Sequence, residues 1–532
     1  MSFEGYVLPP PSGGLDVVSP IDNMDPSTAL ELVNVFPGAG APTVRLGYQK
    51  FCDVGSGKAI RFVHELRATS GAVQLIAADD NAIYSIDTAG VATNKSKVGG
   101  YASGKWAREV YANNIYLTNG VDNAQVLQST GGLAQDVTCS GVTIANFINV
   151  GQYRQRLYFV EKDTCKVWYH KNAGTTFVSG SPVMDSYDFQ YNFKRGGYLL
   201  FTATYTNQTA ATSQDLFVAC SSEGELIFYT GTDPSDTTTP WQPVAHYIIG
   251  RPLGRKAYIR VNQDIWIITQ QGIVPISALF QSDPEQALNV VSYRINPLIT
   301  QYATQVDLSE MWQGFFYQLG RRVYVTLPDS TTTATLLVYS IDTKAWTQFA
   351  LYSSEHCISS CQFNNLPYYG STTGIIYKGE TGYADAVDTS GNAQAILYNI
   401  RTAFNFYNAR GTYKAFKDCR PIIKAKAGLT LNLGLDTDFR RQSILTSVTT
   451  PASTFTAWGS RWGVGAGTIN PYTGLPLASY YEPWSSDVDY IYNRYAIAGQ
   501  GHCAALRVGG SIKNTPCQFF GFEIRFVAGG QV

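Results

Sequence analysis

The chain has 532 residues, 45% of them hydrophobic and only 15% charged, with a formal net charge of −1. At about 100 to 200 residues per domain this makes two to four units with ample apolar mass for a core. The near-zero charge excludes a whole-molecule field that would draw the protein to nucleic acid or anionic membrane. The abundance of Tyr (35), Phe (26) and Trp (9) favours strands, because aromatic and β-branched side chains fit a pleated, half-buried surface.

Residues 1–55 read as an extended arm. Pro9-Pro10-Pro11 followed by Gly13-Gly14 holds neither ladder nor helix and favours polyproline geometry. One short helix is predicted within it. Asp25-Pro26-Ser27 offers a cap and an early proline, Ala29, Leu30, Leu32 and Val33 an apolar side, and Phe36-Pro37-Gly38 a stop. Such an arm gains order by lying on a neighbour.

Residues 56–385 carry a recurring short strand of aliphatic, aromatic and aliphatic residues before a polar turn. It is found at Ile83–Ile86, Ile115–Leu117, Leu157–Val160, Ile227–Tyr229, Ile265–Ile268, Val323–Val325 and Ile375–Tyr377. These seven marks enclose six intervals over 292 residues, a mean of about 49, which suits a four-stranded propeller blade. Single spacings run from 32 to 70. Leu336–Ile341 and Ala345-Trp346 read as two strands around a tight turn, and Thr232–Pro240 and Asp329–Thr335 as hairpin tips. A helix is predicted from Ser282-Asp283-Pro284-Glu285, where cap, first-turn proline and acid agree. The same strands could instead stack as ordinary antiparallel sandwiches. Recurrence and low charge favour a propeller of six or seven blades, because each blade buries both faces against its neighbours.

After residue 385 the recurrence stops. Leu429, Leu431, Leu433 and Leu435 alternate with Thr430, Asn432 and Gly434, which predicts one buried face and one wet face. Ala395–Phe406, Pro421–Lys426 and Gln518–Val527 are further strands, and Gly459–Pro476 reads as a long loop. The predicted class is all-β, with an arm over 1–55, a β-propeller over 56–385 and a C-terminal β-sandwich-like domain over 386–532.

The sequence carries no recognisable catalytic motif. Gly55-Ser56-Gly57-Lys58 resembles the end of a P-loop, but Cys52 replaces its first glycine and Ala59 its hydroxyl. His64, His170, His246, His356 and His502 include no i, i+4 pair, and His356-Cys357 with Cys361 lacks a second ligand pair for zinc. Asp436-Thr437-Asp438 and Asp487-Val488-Asp489 do not continue as a calcium loop. Asp79-Asp80, Asp233, Asp236 and Asp283 stand beside turn formers, where Asp ordinarily caps. Lys194-Arg195, Arg321-Arg322 and Arg440-Arg441 are dispersed among acids and read as solvated or subunit-bridging. The nine cysteines, odd in number and scattered, read as free and mostly buried thiols. Met1-Ser2-Phe3-Glu4-Gly5 offers no secretory leader. The expectation is a non-enzymatic protein without cofactor, metal or membrane insertion.

Four strings in the arm are distinctive: Pro10-Pro11-Ser12-Gly13-Gly14-Leu15, Ser19-Pro20-Ile21-Asp22-Asn23-Met24, Ala29–Pro37 and Val44-Arg45-Leu46-Gly47-Tyr48. They resemble the opening of short-tailed bacteriophage (podovirus) tail nozzle, or tail tubular, proteins. Gly151–Phe159 is similar to a recurrent blade strand of the same proteins. Leu46 stands where that pattern has proline, and there is no large insertion like the fibre-docking one of longer nozzles. The resemblance implies a virion structural subunit, made in the host bacterial cytoplasm and resident in the tail. It further implies a homohexameric ring below portal and adaptor proteins, contacting tail fibres or spikes and passing double-stranded DNA without sequence recognition. A near-neutral wall suits that role, because DNA carries one charge per about 1.7 Å of axis and a basic wall would brake its ejection. Subunit or adaptor contact is expected at Pro9, Pro10, Pro11, Asp22 and Met24. The competing expectation is a carbohydrate-binding or carbohydrate-active propeller in host receptor recognition, whose aromatic loops stack on sugar.

Overall fold

The computed structural model describes residues 3–531 except 39, 209–212, 281–289, 305–309, 331–332, 353–355, 389, 427–428, 443–444, 451–487 and 492. The predicted helix at Ser282–Glu285 and the loop Gly459–Pro476 therefore lie outside the described residues.

The middle of the chain is a β-propeller, as predicted. Blades 1 to 4 are four-stranded antiparallel meanders over 62–94, 107–136, 147–188 and 199–248, and blade 5 has three strands over 258–275. Blade 6 is the run of four strands over 314–349, which continues into a larger sheet. Blade 7 joins Cys357–Phe363, Leu366–Ser371 and Ile375–Gly379 to Tyr48–Asp53. The innermost hairpins of blades 2, 3 and 7 turn through Ala112-Asn113, Arg154-Gln155 and Asn364-Asn365, every one at positive φ. Two-residue turns of that hand match the right-handed twist of the strands they join.

The recurring mark is a record of burial on both faces. In blade 3, Leu157 and Phe159 pack with Tyr111, Tyr116 and Val126 of blade 2. The intervening Tyr158 and Val160 point the other way and pack with Phe217 and Tyr229 of blade 4. A strand buried on both sides is apolar at every position rather than at alternate ones.

Residues 3–53 correct the expected extended arm, because they form strands paired within their own chain. Glu4–Leu8 lies antiparallel to Cys517–Gln531, and Gly14–Leu15 lies parallel to Thr28–Val33. Tyr48–Asp53 supplies the outer strand of blade 7 and closes the propeller ring. The predicted short helix is instead the strand Thr28–Val33, set between Ala345–Phe349 of blade 6 and Ile396–Thr402. Asp25 does cap, but it caps one turn: its Oδ1 accepts from Ser27 N at 2.8 Å and its carbonyl from Thr28 N at 2.9 Å. Ala29 and Leu32, both fully buried, then gain more from joining the sheet than a short isolated helix could supply.

The C-terminal unit is a sandwich whose limits differ from the predicted 386–532. One sheet centres on Thr412–Lys426 and Cys517–Gln531 and also takes in Glu4–Leu8, Val35–Phe36 and Thr43–Val44. The facing sheet runs from blade 6 through Thr28–Val33 into Ile396–Thr402, Ala504–Ile512 and Thr430–Thr437. The alternating leucines hold: Leu429, Leu431, Leu433 and Leu435 are buried, in one core with Ile423, Phe519, Phe522 and Ile524.

Where arm, blade 6 and sandwich meet, Arg45 is buried against Asp385. The pair is bidentate, with both contacts at 2.6 Å. Arg45 Nε donates to Asn34 Oδ1 at 2.9 Å, its Nη1 to the Leu46 carbonyl at 3.0 Å and its Nη2 to the Ala350 carbonyl at 2.9 Å. The guanidinium also lies 4.5 Å from the Phe349 ring centroid. A Cβ on neighbouring Gly47 would come within 1.8 Å of the Ala384 carbonyl oxygen, so no other residue fits that approach. Tyr48 is fully buried, and its hydroxyl accepts from Tyr352 N at 2.8 Å.

Candidate functional site

In the bore of the propeller the innermost strands of several blades bring charged side chains together. Near blade 5, Lys256, Tyr258 and Arg260 alternate with the buried Ala257, Ile259 and Val261. The period of two sends the apolar set between blades and the polar set inward. Phe62–Arg67 contributes His64 and Ala107–Tyr111 contributes Arg108 to the same cavity, of about 230 Å³. Four basic side chains line it, His64, Arg108, Lys256 and Arg260, and no Asp or Glu does. A second cavity, of about 520 Å³, is lined by Lys105, Lys162 and Arg255 against Asp163 and Glu310.

Two of the bore's arginines are paired. Arg260 meets Glu109 bidentately at 3.0 and 2.6 Å. Arg255 Nε donates to Glu310 Oε2 at 2.8 Å, and its Nη1 and Nη2 reach the Ile148 and Lys105 carbonyls, each at 2.8 Å. Among the described residues, Arg108, Lys105 and Lys256 have no side-chain hydrogen bond or ion pair.

The electrostatics follow from that imbalance. Burial pulls the Lys256 ammonium down to about 8; Arg255, Lys105 and Arg61 push the same way and Glu310 opposes them. Burial, with Arg108 and Arg260 nearby, holds His64 well below its ordinary value, so its imidazole is neutral at pH 7. Burial also lowers Arg108, opposed by Tyr258 and Glu109. For Glu310, burial works toward protonation, but Arg255, Lys256 and Lys105 outweigh it and lower the carboxyl. The wall is concave and no carboxylate lines it, so the local potential there is positive.

The sequence-predicted contact residues lie elsewhere. Pro9 and Pro10 are half-buried, and Pro11 is buried in a turn where Gly14 N donates to its carbonyl at 3.3 Å. Met24 is buried in the core of its own chain. Asp22 is exposed and touches Arg410, whose Nη2 donates to the Asp22 carbonyl at 3.0 Å. The basic pairs noted in the sequence are also outside the bore, with Arg321 on Asp342 at 2.6 Å and Arg322 on Glu380 at 2.8 Å. Asp79 and Asp233 cap turns, as predicted, accepting from Ala82 N at 2.7 Å and Ser235 N at 2.9 Å. All nine cysteines are free; Cys139 and Cys165 are half-buried and the other seven buried. Sequence reading missed the bore because His64, Arg108 and Lys256 are far apart along the chain. The one local signal was the alternation Lys256, Tyr258, Arg260 just before a marked strand.

No family model matches the chain, and no curated protein matches it. Solved structures similar to it include virginiamycin B lyase from Staphylococcus aureus, with 9% identity and a TM-score of 0.40, covering 63% of this chain and 98% of that one. A streptogramin B lyase is similar at 11% identity and a TM-score of 0.40, with the same coverage. The WD40 β-propeller domain of Doa1 is similar at 11% identity and a TM-score of 0.37, over 63% of this chain and 97% of that one. At such identities the likeness concerns the propeller fold alone.

Proposed function

We propose that this chain is a non-enzymatic structural subunit of a bacteriophage tail nozzle. In this reading six copies form a ring below the portal and adaptor, contact tail fibres or spikes, and continue the channel for double-stranded DNA. The observation that carries it is the use made of the resembling strings. Val44–Tyr48 forms the buried seam around Arg45, and Ala29–Pro37 includes the strand that joins blade 6 to the sandwich. Propeller and sandwich are thereby bound through a continuous sheet, which suits a wall that must hold its shape while a stiff polymer passes. The DNA path in this reading is the shared axis of the ring, since a bore cavity of about 230 Å³ takes small ions and not a duplex.

Contacts between copies are assigned to the outer face of the sheet centred on Cys517–Gln531. Val7, Tyr490 and Phe520 are exposed there at 60%, 56% and 37%, with the Tyr490 and Phe520 rings 5.5 Å apart. Native mass spectrometry of the purified chain should give a hexamer, and electron microscopy a ring. Phe520→Glu together with Tyr490→Lys should return it to monomer with an unchanged melting temperature. A wild-type protein that stays monomeric at tens of micromolar, with or without adaptor, overturns the proposal.

A further inference from the structure

The bore cluster is independent of the nozzle reading, since it arises from the propeller alone. Arg108 and Lys256 come from blade 2 and from the entry to blade 5, positions distant in sequence, and converge on one cavity that no carboxylate lines. The acids nearby are already engaged, Glu109 by Arg260 and Glu310 by Arg255. Arg108 and Lys256 are each half-buried, so part of their hydration is lost, and like charges facing one cavity repel; an anion between them would relieve both costs. The donors suit an oxyanion: Arg108 offers a planar fork that can grip two oxygens, and Lys256 a compact point charge. Neutral His64 and the Tyr258 hydroxyl stand at the same wall and can each donate one hydrogen bond.

We propose that the propeller bore is a binding site for a small polyanion bearing phosphate or carboxylate groups, held between Arg108 and Lys256. The volume admits a compact multiply charged ion, and the chain's net charge of −1 means that attraction is local to the bore rather than general to the surface.

Isothermal titration calorimetry with tripolyphosphate and, separately, citrate tests this and tells the two chemistries apart. At least one should bind saturably, about one ion per chain. Arg108→Gln and Lys256→Gln should each weaken binding tenfold or more, while Arg321→Gln, an exposed arginine outside the bore, should leave it unchanged. Affinity should fall as pH rises through about 8, where Lys256 loses its proton; burial is the main cause of that value, and Glu310, Arg255, Lys105 and Arg61 face the ammonium. A melting curve in anion-free buffer guards against a folding artefact, because Arg108→Gln should melt at or above the wild type once the unpaired charge is removed. Absence of saturable binding by either probe overturns the proposal. So does equal weakening by Arg321→Gln, or a large drop in melting temperature for Arg108→Gln in anion-free buffer, which would make Arg108 an internal structural partner.

Discussion

The seam around Arg45 and the bore around Arg108 use the same kind of group to opposite ends, buried in the first and half-buried in the second. Arg45 is fully enclosed and satisfied by a bidentate carboxylate, an amide oxygen and two carbonyls. Arg108 faces a cavity and has no hydrogen-bond or ion-pair partner among the described residues. The difference separates architecture from recognition. A cation whose donors are all used inside the chain ties segments together, whereas one left with free donors in a concave wall is available to something else.

Removing the cation should therefore have opposite results at the two places. Arg45→Ala leaves Asp385 buried and unpaired. Burial already raises that carboxyl even with Arg45 opposing, so the loss should be about 3 to 5 kcal/mol in chemical denaturation. A loss below about 1 kcal/mol would mean that the seam is not the tie described. Gly47→Ala sharpens the same point without touching charge. The added methyl must displace the Ala384 carbonyl, and a destabilisation of about 2 to 3 kcal/mol is expected; thermal melting checks it.

The smallest effect belongs to the bore and to pH. Lys256 has a folded-state value near 8, below the 10.5 of an unperturbed lysine. Its contribution is thus fully present above 10.5 and is lost as pH falls through 8. Between pH 8 and 10.5 the wild type should gain stability relative to Lys256→Gln, by on the order of 1 kcal/mol because the site is partly hydrated. Parallel melting curves for the two proteins across that range would remove Lys256 from the account.

Much of the fold was legible in the sequence. The seven aliphatic-aromatic marks fall one to each blade, and their uneven spacing has a simple source: the mark sits on the second strand of blades 2, 3, 5 and 6 but on the third of blades 1, 4 and 7. The leucines from 429 to 435 marked the sandwich face for the same reason, since burial repeats every two residues and needs no distant information. The arm was misread where local and tertiary preferences disagree. Asp25-Pro26-Ser27 is a fair helix start, but Thr28–Val33 is held in a sheet between Ala345–Phe349 and Ile396–Thr402, partners hundreds of residues away. The bore was not legible either, because its cations enter one or two at a time from strands in different blades.

Composition and short-range pattern alone determined that the regular structure would be nearly all strand, with a recurring blade and an alternating terminal sheet. Those properties depend on which side chains suit a pleated surface within a few residues. Only the tertiary structure decided which strand closes the ring, that the first fifty residues are built into both units, and that Arg108 and Lys256 share a wall. Each of these is a meeting of segments far apart in the chain, and no local period encodes such a meeting.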